Sequence, residues 1–131
     1  FQWNSSENAG FTAGTPWIGV NRNYKTINEA AQDKDPNSIL NYFRKMVELR
    51  RQNLVLVYGK YTLLDKINPD VYAYTRQLNG KKLLVLLNFK STSASVKISY
   101  DLEKAKVLIC NYPQDSKDGT LKPYEAVVYE L

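Results

Sequence analysis

At Asn53 the spacing of apolar residues changes, and that change sets what the chain can fold into. Before it, Ile39, Tyr42, Phe43, Met46 and Leu49 recur at steps of three and four, with Leu40 and Val47 widening the stripe. This predicts an amphipathic helix over residues 36–52. Asp35 is placed to cap it, and Pro36 suits a first turn whose amide needs no partner. Arg50 and Arg51 complement the partial negative charge of the C-terminal end, and Asn53 can close it in the left-handed conformation. Beyond Asn53 the apolar residues come in short runs and alternations bounded by turn residues. Leu54–Leu64, with Gly59 as a bulge or turn, Val71–Leu78, Lys82–Phe89, Val96–Tyr100, Lys106–Asn111 and Ala126–Glu130 read as strands. Asn79-Gly80 between two such runs is a strong hairpin signal, predicting a type I′ turn. The unbroken run Leu83-Leu84-Val85-Leu86-Leu87 predicts a central strand covered on both faces.

The fold class that follows is mainly β: an antiparallel β-sandwich preceded by an irregular loop and one amphipathic helix. The expected division is 1–53 and 54–131. The first part cannot bury its own helix face, so it reads as the end of a larger α/β domain. Within it, residues 1–34 are rich in turn residues, yet Phe1, Trp3, Phe11, Trp17, Ile18, Val20 and Tyr24 punctuate them. A loop carrying so many large apolar groups is expected to pack against something, and loops of this length are usually functional. The opening Phe1-Gln2-Trp3, without an initiator Met, reads as a cut end rather than a natural start.

Charge and composition exclude several functions. The net charge of +5 is spread over the 131 residues, with 7 basic and 5 acidic side chains up to Asn53 and 11 and 8 after it. A nucleic-acid footprint would concentrate it in a stripe, so no nucleic-acid partner is expected. No stretch approaches the ~20 apolar residues of a membrane span, and no membrane partner is expected either. With no His and Cys110 as the one cysteine, thiolate or imidazole metal sites and His-based triads are not expected, nor is a cofactor. A lone thiol fits a reducing compartment, hence the cytoplasm. Cys110, inside Val107-Leu108-Ile109-Cys110, reads as a buried inert thiol. The ten tyrosines suit strands better than a binding face.

Glycosidic-bond hydrolysis uses two carboxyl groups flanking the bond. The chain has 13 Asp and Glu, but Asp35, Asp70, Asp101 and Asp118 sit at caps or turns, Glu48 on the solvent side of the helix, and Glu29 and Asp33 in a poorly helical stretch. No converging pair can be nominated, so no catalytic, substrate-binding or metal-ligating residue is assigned. Trp3 and Trp17 could stack on a sugar ring, but filling an apolar seam is the better reading of both.

The run Gln2-Trp3-Asn4-Ser5-Ser6-Glu7-Asn8-Ala9-Gly10-Phe11-Thr12 resembles a segment of the α-amylase superfamily of glycoside hydrolases (family 13), nearest to its oligo-1,6-glucosidase and α-glucosidase branch. Gly14-Thr15-Pro16-Trp17-Ile18-Gly19-Val20-Asn21 and Asn23-Tyr24 continue the likeness. Asn41–Arg50 looks like the family's last barrel helix, and Val57-Tyr58-Gly59 and Leu121–Ala126 are similar to stretches of its C-terminal domain. Phe1 stands where Met is common and Asn4 where Asp is common, neither a catalytic position of the family. The resemblance implies a parent with a (β/α)₈ barrel followed by a β-sandwich, cleaving α-glucosidic bonds of short oligosaccharides with retention. It places the catalytic Asp, Glu and supporting Asp, and a substrate-contacting Arg, upstream of Phe1. The partners implied are that upstream barrel and an oligosaccharide, with this chain structural and inactive alone. An independent carbohydrate-binding module, or the same region of a sucrose isomerase or trehalose synthase, are the alternatives.

Overall fold

In the computed structural model, Asn79 (φ 49°) and Gly80 (φ 82°) both take the left-handed conformation that a type I′ turn requires. They join β2 (Val71–Leu78) to β3 (Lys81–Asn88), with Leu78 opposite Lys81. The structure describes residues 1–115 and 117–131. Around this hairpin β1 (Lys60–Leu64), β5 (Lys106–Cys110) and β7 (Ala126–Glu130) complete an antiparallel sheet in the order β1-β2-β3-β7-β5. Leu108 is the extra residue of a bulge where β5 meets β7. A second, short pair is made by β4 (Ala94–Ser95) and β6 (Thr120–Leu121).

β3 is the middle strand, and Leu83, Leu84, Val85 and Leu86 are all buried. Leu84 and Leu86 join Val71, Ala73, Val127 and Tyr129 in one core cluster, closed by Val96, Leu102, Ala105 and Leu121 from the second layer. This is the sandwich core that the alternating pattern foretold. Leu83 and Val85 point to the other face of the sheet, where a one-turn helix, α3 (Val55–Tyr58), packs on β2 and β3.

Several local expectations are corrected. Residues 55–58 form α3 where a strand was expected, and the strand begins only at Lys60. Gly59 explains why the turn stops there: a Cβ on it would lie 2.4 Å from the Val55 carbonyl oxygen and 3.1 Å from the Gln77 amide. Val96, Ile98 and Tyr100 alternate inward as expected and pack on the core, but the strand itself is confined to Ala94–Ser95, prolonged by one bond from the Val96 amide to the Gly119 carbonyl at 3.0 Å. Cys110 is half-buried rather than buried; burial pushes its thiol up, opposed by the Tyr112 amide.

The chain forms two compact units, Phe1–Glu48 and Leu49–Leu131. In the first, the acidic stretch read as poorly helical is a short helix, α1 (Glu29–Lys34), capped by the Asn28 side chain on Ala31 N at 2.9 Å. Its Glu29 and Asp33 are not free in solvent but pair with Arg44. The main helix, α2, spans Ile39–Gln52 and starts three residues later than expected. Asp35 instead closes a turn on Asn37 N at 2.9 Å, and Ser38 is the cap, its Oγ accepting from Asn41 N at 3.1 Å. Asn53 does not turn left-handed; its side chain donates to the Leu49 carbonyl at 2.9 Å.

No residue of α2 is buried, and Ile39 and Phe43 are 85% and 61% exposed on the apolar stripe. Such a stripe makes a chain self-associate. Sedimentation of residues 1–131 should reveal concentration-dependent association, and Ile39→Lys with Phe43→Glu should abolish it while changing stability by less than about 1 kcal/mol. A wild-type chain that stays monomeric when concentrated would contradict this.

Tyr129, fully buried, donates its hydroxyl to Asp115 Oδ2 at 2.8 Å, with Lys117 Nζ 5.3 Å from the ring centroid. Burial, and then the Asp115 carboxylate, drive its phenol well above the ordinary value of 10.0. The fold therefore favours the neutral phenol. Its contribution is whole below pH ~10 and is lost as the pH rises beyond that. Tyr129→Phe should cost about 1 kcal/mol at neutral pH, and the gap to wild type should narrow in alkaline melts. A gap that widens above pH ~10 would reverse the sign.

Candidate functional site

The first 28 residues build a pocketed loop mostly from turns, with a short 3₁₀ helix at Arg22–Lys25. Asn8, Ala9 and Gly10 take φ of 54°, 57° and 78°, three left-handed residues in succession. That conformation costs an alanine roughly 1–2 kcal/mol, so local contacts must hold it. The Trp3 and Asn4 amides both donate to the Ala9 carbonyl, at 3.1 and 3.3 Å, and Ala9 is buried. Asn4 Oδ1 accepts from the Ser6 amide at 2.9 Å, and a Cβ at Gly10 would lie 2.6 Å from Asn4 Nδ2. Asn8 Nδ2 then ties the return of the chain, donating to the carbonyls of Thr12 and Gly14 at 3.1 and 2.9 Å.

α1 anchors this loop. The Glu29 and Ala30 amides donate to the carbonyls of Gln2 and Trp3 at 2.9 and 3.0 Å, and buried Asn28 donates to the Tyr24 carbonyl at 2.8 Å. Gln2 Nε2 reaches Asn23 Oδ1 at 2.7 Å. The residues of the Gln-Trp-Asn opening are thus held from both sides.

Trp3 sits edge-on between Phe1 and Phe11, with ring centroids 5.2 and 6.4 Å away. Trp17 is 94% exposed. A cleft of about 570 Å³ opens among Phe1, Phe11, Trp17 and Ile18, with Gln2 and Asn21 among its polar groups. No charged side chain lines it. Glu7 is the one carboxylate lining the smaller cleft of about 490 Å³ beside Asn4 and Ser6. Of the two tryptophans singled out in the sequence, Trp17 lines the larger cleft and Trp3 supports two of its walls. The other lining residues were legible only as apolar punctuation, because their meeting depends on the turn at Asn8–Gly10. Such a surface can stack on an uncharged flat ring and hydrogen-bond its edges; it offers no proton donor or nucleophile of carboxylate type.

Most of the remaining acids are committed to turns and ion pairs. Asp65 accepts from Asn68 Nδ2 and the Lys97 amide, and these bonds, the first being the larger effect, hold its carboxyl below the usual value. Asp70, Asp101 and Glu130 pair with Lys90, Lys104 and Lys81. Asp118 closes a turn on the Thr120 amide, and Glu125 one on the Lys122 amide. Among the described residues no group of three or more His, Cys, Asp or Glu side chains is placed to hold a metal ion. Among the described residues no helix is long and apolar enough to cross a membrane.

Residues 1–59 match the family profile described as alpha amylase, catalytic domain, and residues 71–128 that described as the alpha-amylase SusG C-terminal domain. The oligo-1,6-glucosidase of Parageobacillus thermoglucosidasius is 45% identical over 99% of this chain and 24% of its own length. Trehalose-6-phosphate hydrolase of Bacillus licheniformis, a solved structure, superposes with a TM-score of 0.86 at 43% identity, over 98% of this chain and 24% of that one. An isomaltulose synthase of Erwinia rhapontici NX5, solved with D-glucose, gives 0.88 and 43% over 100% and 24%. The chain spans about a quarter of the length of the relatives it matches. With two adjoining family profiles and relatives aligned end to end, the chain belongs to the α-amylase superfamily of glycoside hydrolases, in its α-glucosidase and oligo-1,6-glucosidase branch.

Proposed function

We propose that this chain is the closing part of an α-glucosidase that hydrolyses α-glucosidic bonds in short oligosaccharides with retention, and that it serves there as scaffold, inactive alone. One observation carries the reading: the chain aligns end to end with oligo-1,6-glucosidases while covering 24% of their length, and its larger cleft is lined by no carboxylate. Retaining hydrolysis needs a nucleophilic carboxylate and an acid/base carboxyl about 5 Å apart. In this reading residues 1–53 complete the catalytic barrel, with α2 as its last helix, and residues 54–131 form the C-terminal sandwich. The exposed stripe of α2 is covered by the preceding barrel, and the loop with Trp17 contributes an uncharged aromatic wall beside the sugar. The setting is the cytoplasm, where the half-buried Cys110 stays a thiol.

The pure chain should leave an aryl α-glucoside untouched, while a polypeptide of the relatives' length carrying it should turn the substrate over. Turnover by residues 1–131 alone would sink the proposal. A second reading, a sucrose isomerase, is favoured by the 43% identity to the isomaltulose synthase structure, close to the 45% to the oligo-1,6-glucosidase. Incubating the longer polypeptide with sucrose separates the two: glucose and fructose mean hydrolysis, and a rearranged disaccharide means isomerisation.

A further inference from the structure

We propose that Asn79 is the chain's site of spontaneous deamidation, a modification that converts the tip of the β2–β3 hairpin to isoaspartate and loosens the sheet. The inference stands apart from the glucosidase reading. It starts from the chemistry of asparagine, a residue type prone to chemical loss. The main-chain nitrogen of the following residue bonds to the asparagine Cγ and closes a cyclic imide. The Cγ–Nδ2 bond breaks, and ammonia leaves with the proton of the attacking nitrogen. Water then opens the imide at either carbonyl. Opening at Cγ gives aspartate. Opening at the main-chain carbonyl routes the chain through the side chain and gives isoaspartate. Water is the sole co-reactant, and nothing is oxidised or reduced. The reaction needs a side-chain amide that can swing, a following N–H without a hydrogen bond, and no bulk beside that nitrogen.

Twelve asparagines compete for it. Ten spend a side-chain oxygen or nitrogen on a hydrogen bond, as Asn8 does on the carbonyls of Thr12 and Gly14. Asn37 does not, but the Ser38 amide that would attack it donates to the Asp35 carbonyl at 3.1 Å. Asn79 alone meets every requirement. Among the described residues neither its side chain nor the Gly80 amide makes a hydrogen bond, because the ladder closes outside them at Leu78 and Lys81. Both residues are exposed. Gly80 has no Cβ to hinder the approach, and the space where one would sit is open to 4 Å. The related dipeptide Asp118-Gly119 is closed by comparison, with Asp118 Oδ1 accepting from the Thr120 amide at 2.8 Å.

The two products differ in what they do to the sheet. Asp-Gly suits a type I′ reversal as Asn-Gly does, so aspartate keeps the turn. Isoaspartate adds a methylene to the main chain at a two-residue tip. That tip sets the register of the whole β2–β3 ladder, from Leu78 opposite Lys81 to Val71 opposite Asn88.

Residues 1–131 and a free peptide spanning residues 75–84 are incubated side by side in mildly alkaline buffer. Peptide mapping by mass spectrometry follows each amide, and an isoaspartyl methyltransferase reads isoaspartate. Asn79 should convert within about tenfold of the peptide's rate, because loop tips open at little cost. It should outpace every other asparagine by about tenfold or more, since a hydrogen bond must first be broken at those. An Asn79 that stays intact while the peptide converts would overturn the proposal, and so would an Asn37 that converts as fast. Asn79→Asp carries the new charge without the added methylene. Aged protein enriched in isoaspartate should melt below that variant, and equal midpoints would overturn the loosening.

Discussion

Leu84→Ala should destabilise the C-terminal unit by about 3–5 kcal/mol, most of the stability that a domain of this size possesses. Leu84 is fully buried in the middle strand, opposite Thr75 of β2 on one side and Tyr129 of β7 on the other. It belongs to the cluster that joins the two layers, so its removal opens space facing Leu86, Val127 and Leu121 rather than solvent. Backbone ladders on both sides prevent β3 from moving in to fill that space, which puts the cost at the upper end for such truncations. At about 4–8 °C per kcal/mol for a unit this small, the midpoint should fall by more than 10 °C in a circular-dichroism melt. Ile67→Ala is the control, since Ile67 is 94% exposed, and it should change stability by no more than about 0.5 kcal/mol. A Leu84→Ala loss below about 1 kcal/mol would mean that the two layers do not share this core.

Glu125→Ala should cost about 3 kcal/mol, unusual for the loss of an acidic residue in a turn. Glu125 is 1% exposed. Its Oε2 accepts from the Lys122 amide at 2.7 Å, and its Oε1 accepts from Cys110 Sγ at 3.7 Å. The main chain is equally engaged: the Asn88 amide donates to the Glu125 carbonyl at 2.8 Å, and the preceding Tyr124 is held at φ 54°. Truncation leaves a buried amide without its acceptor and an empty side-chain volume, each worth about 1–3 kcal/mol. Glu125→Gln retains the volume and an acceptor oxygen, so it should lose about 1 kcal/mol. Denaturant titration of the two variants decides it: equal losses would show that the acceptor is not what holds the turn.

The sheet was legible because its signals are local and agree with the packing. Asn79-Gly80 can satisfy a two-residue left-handed turn without strain, and the run Leu83–Leu86 has no polar residue to place outward. Helix α3 was not legible, because Val55 and Val57 are β-branched and lean towards a strand. Their helical turn is set by what lies beneath it, Arg76 on their carbonyls and the closed space at Gly59. The start of α2 was misplaced because Asp35 and Ser38 are both competent caps, and the Gln32 carbonyl receives the Ser38 hydroxyl at 2.7 Å, a contact from outside the helix. The cleft lay further from reach. Ala9 held left-handed contradicts its own propensity, so Asn8-Ala9-Gly10 read as a turn of unspecified form and, through its likeness to the family, as part of a longer motif. The composition forecast aromatic groups in the loop, but their meeting around one cavity requires the three-residue reversal that folds Phe11 back towards Trp3.

The Asn79–Gly80 reversal has a practical consequence. No atom comes within 4 Å of the position that a side chain on Gly80 would occupy, so the tip stands clear of its surroundings while both flanking strands are fully laddered. Loop tips of that kind accept added sequence without disturbing the body beneath. An epitope or a fluorophore-binding peptide spliced there would give a handle on the sandwich that does not enter its core.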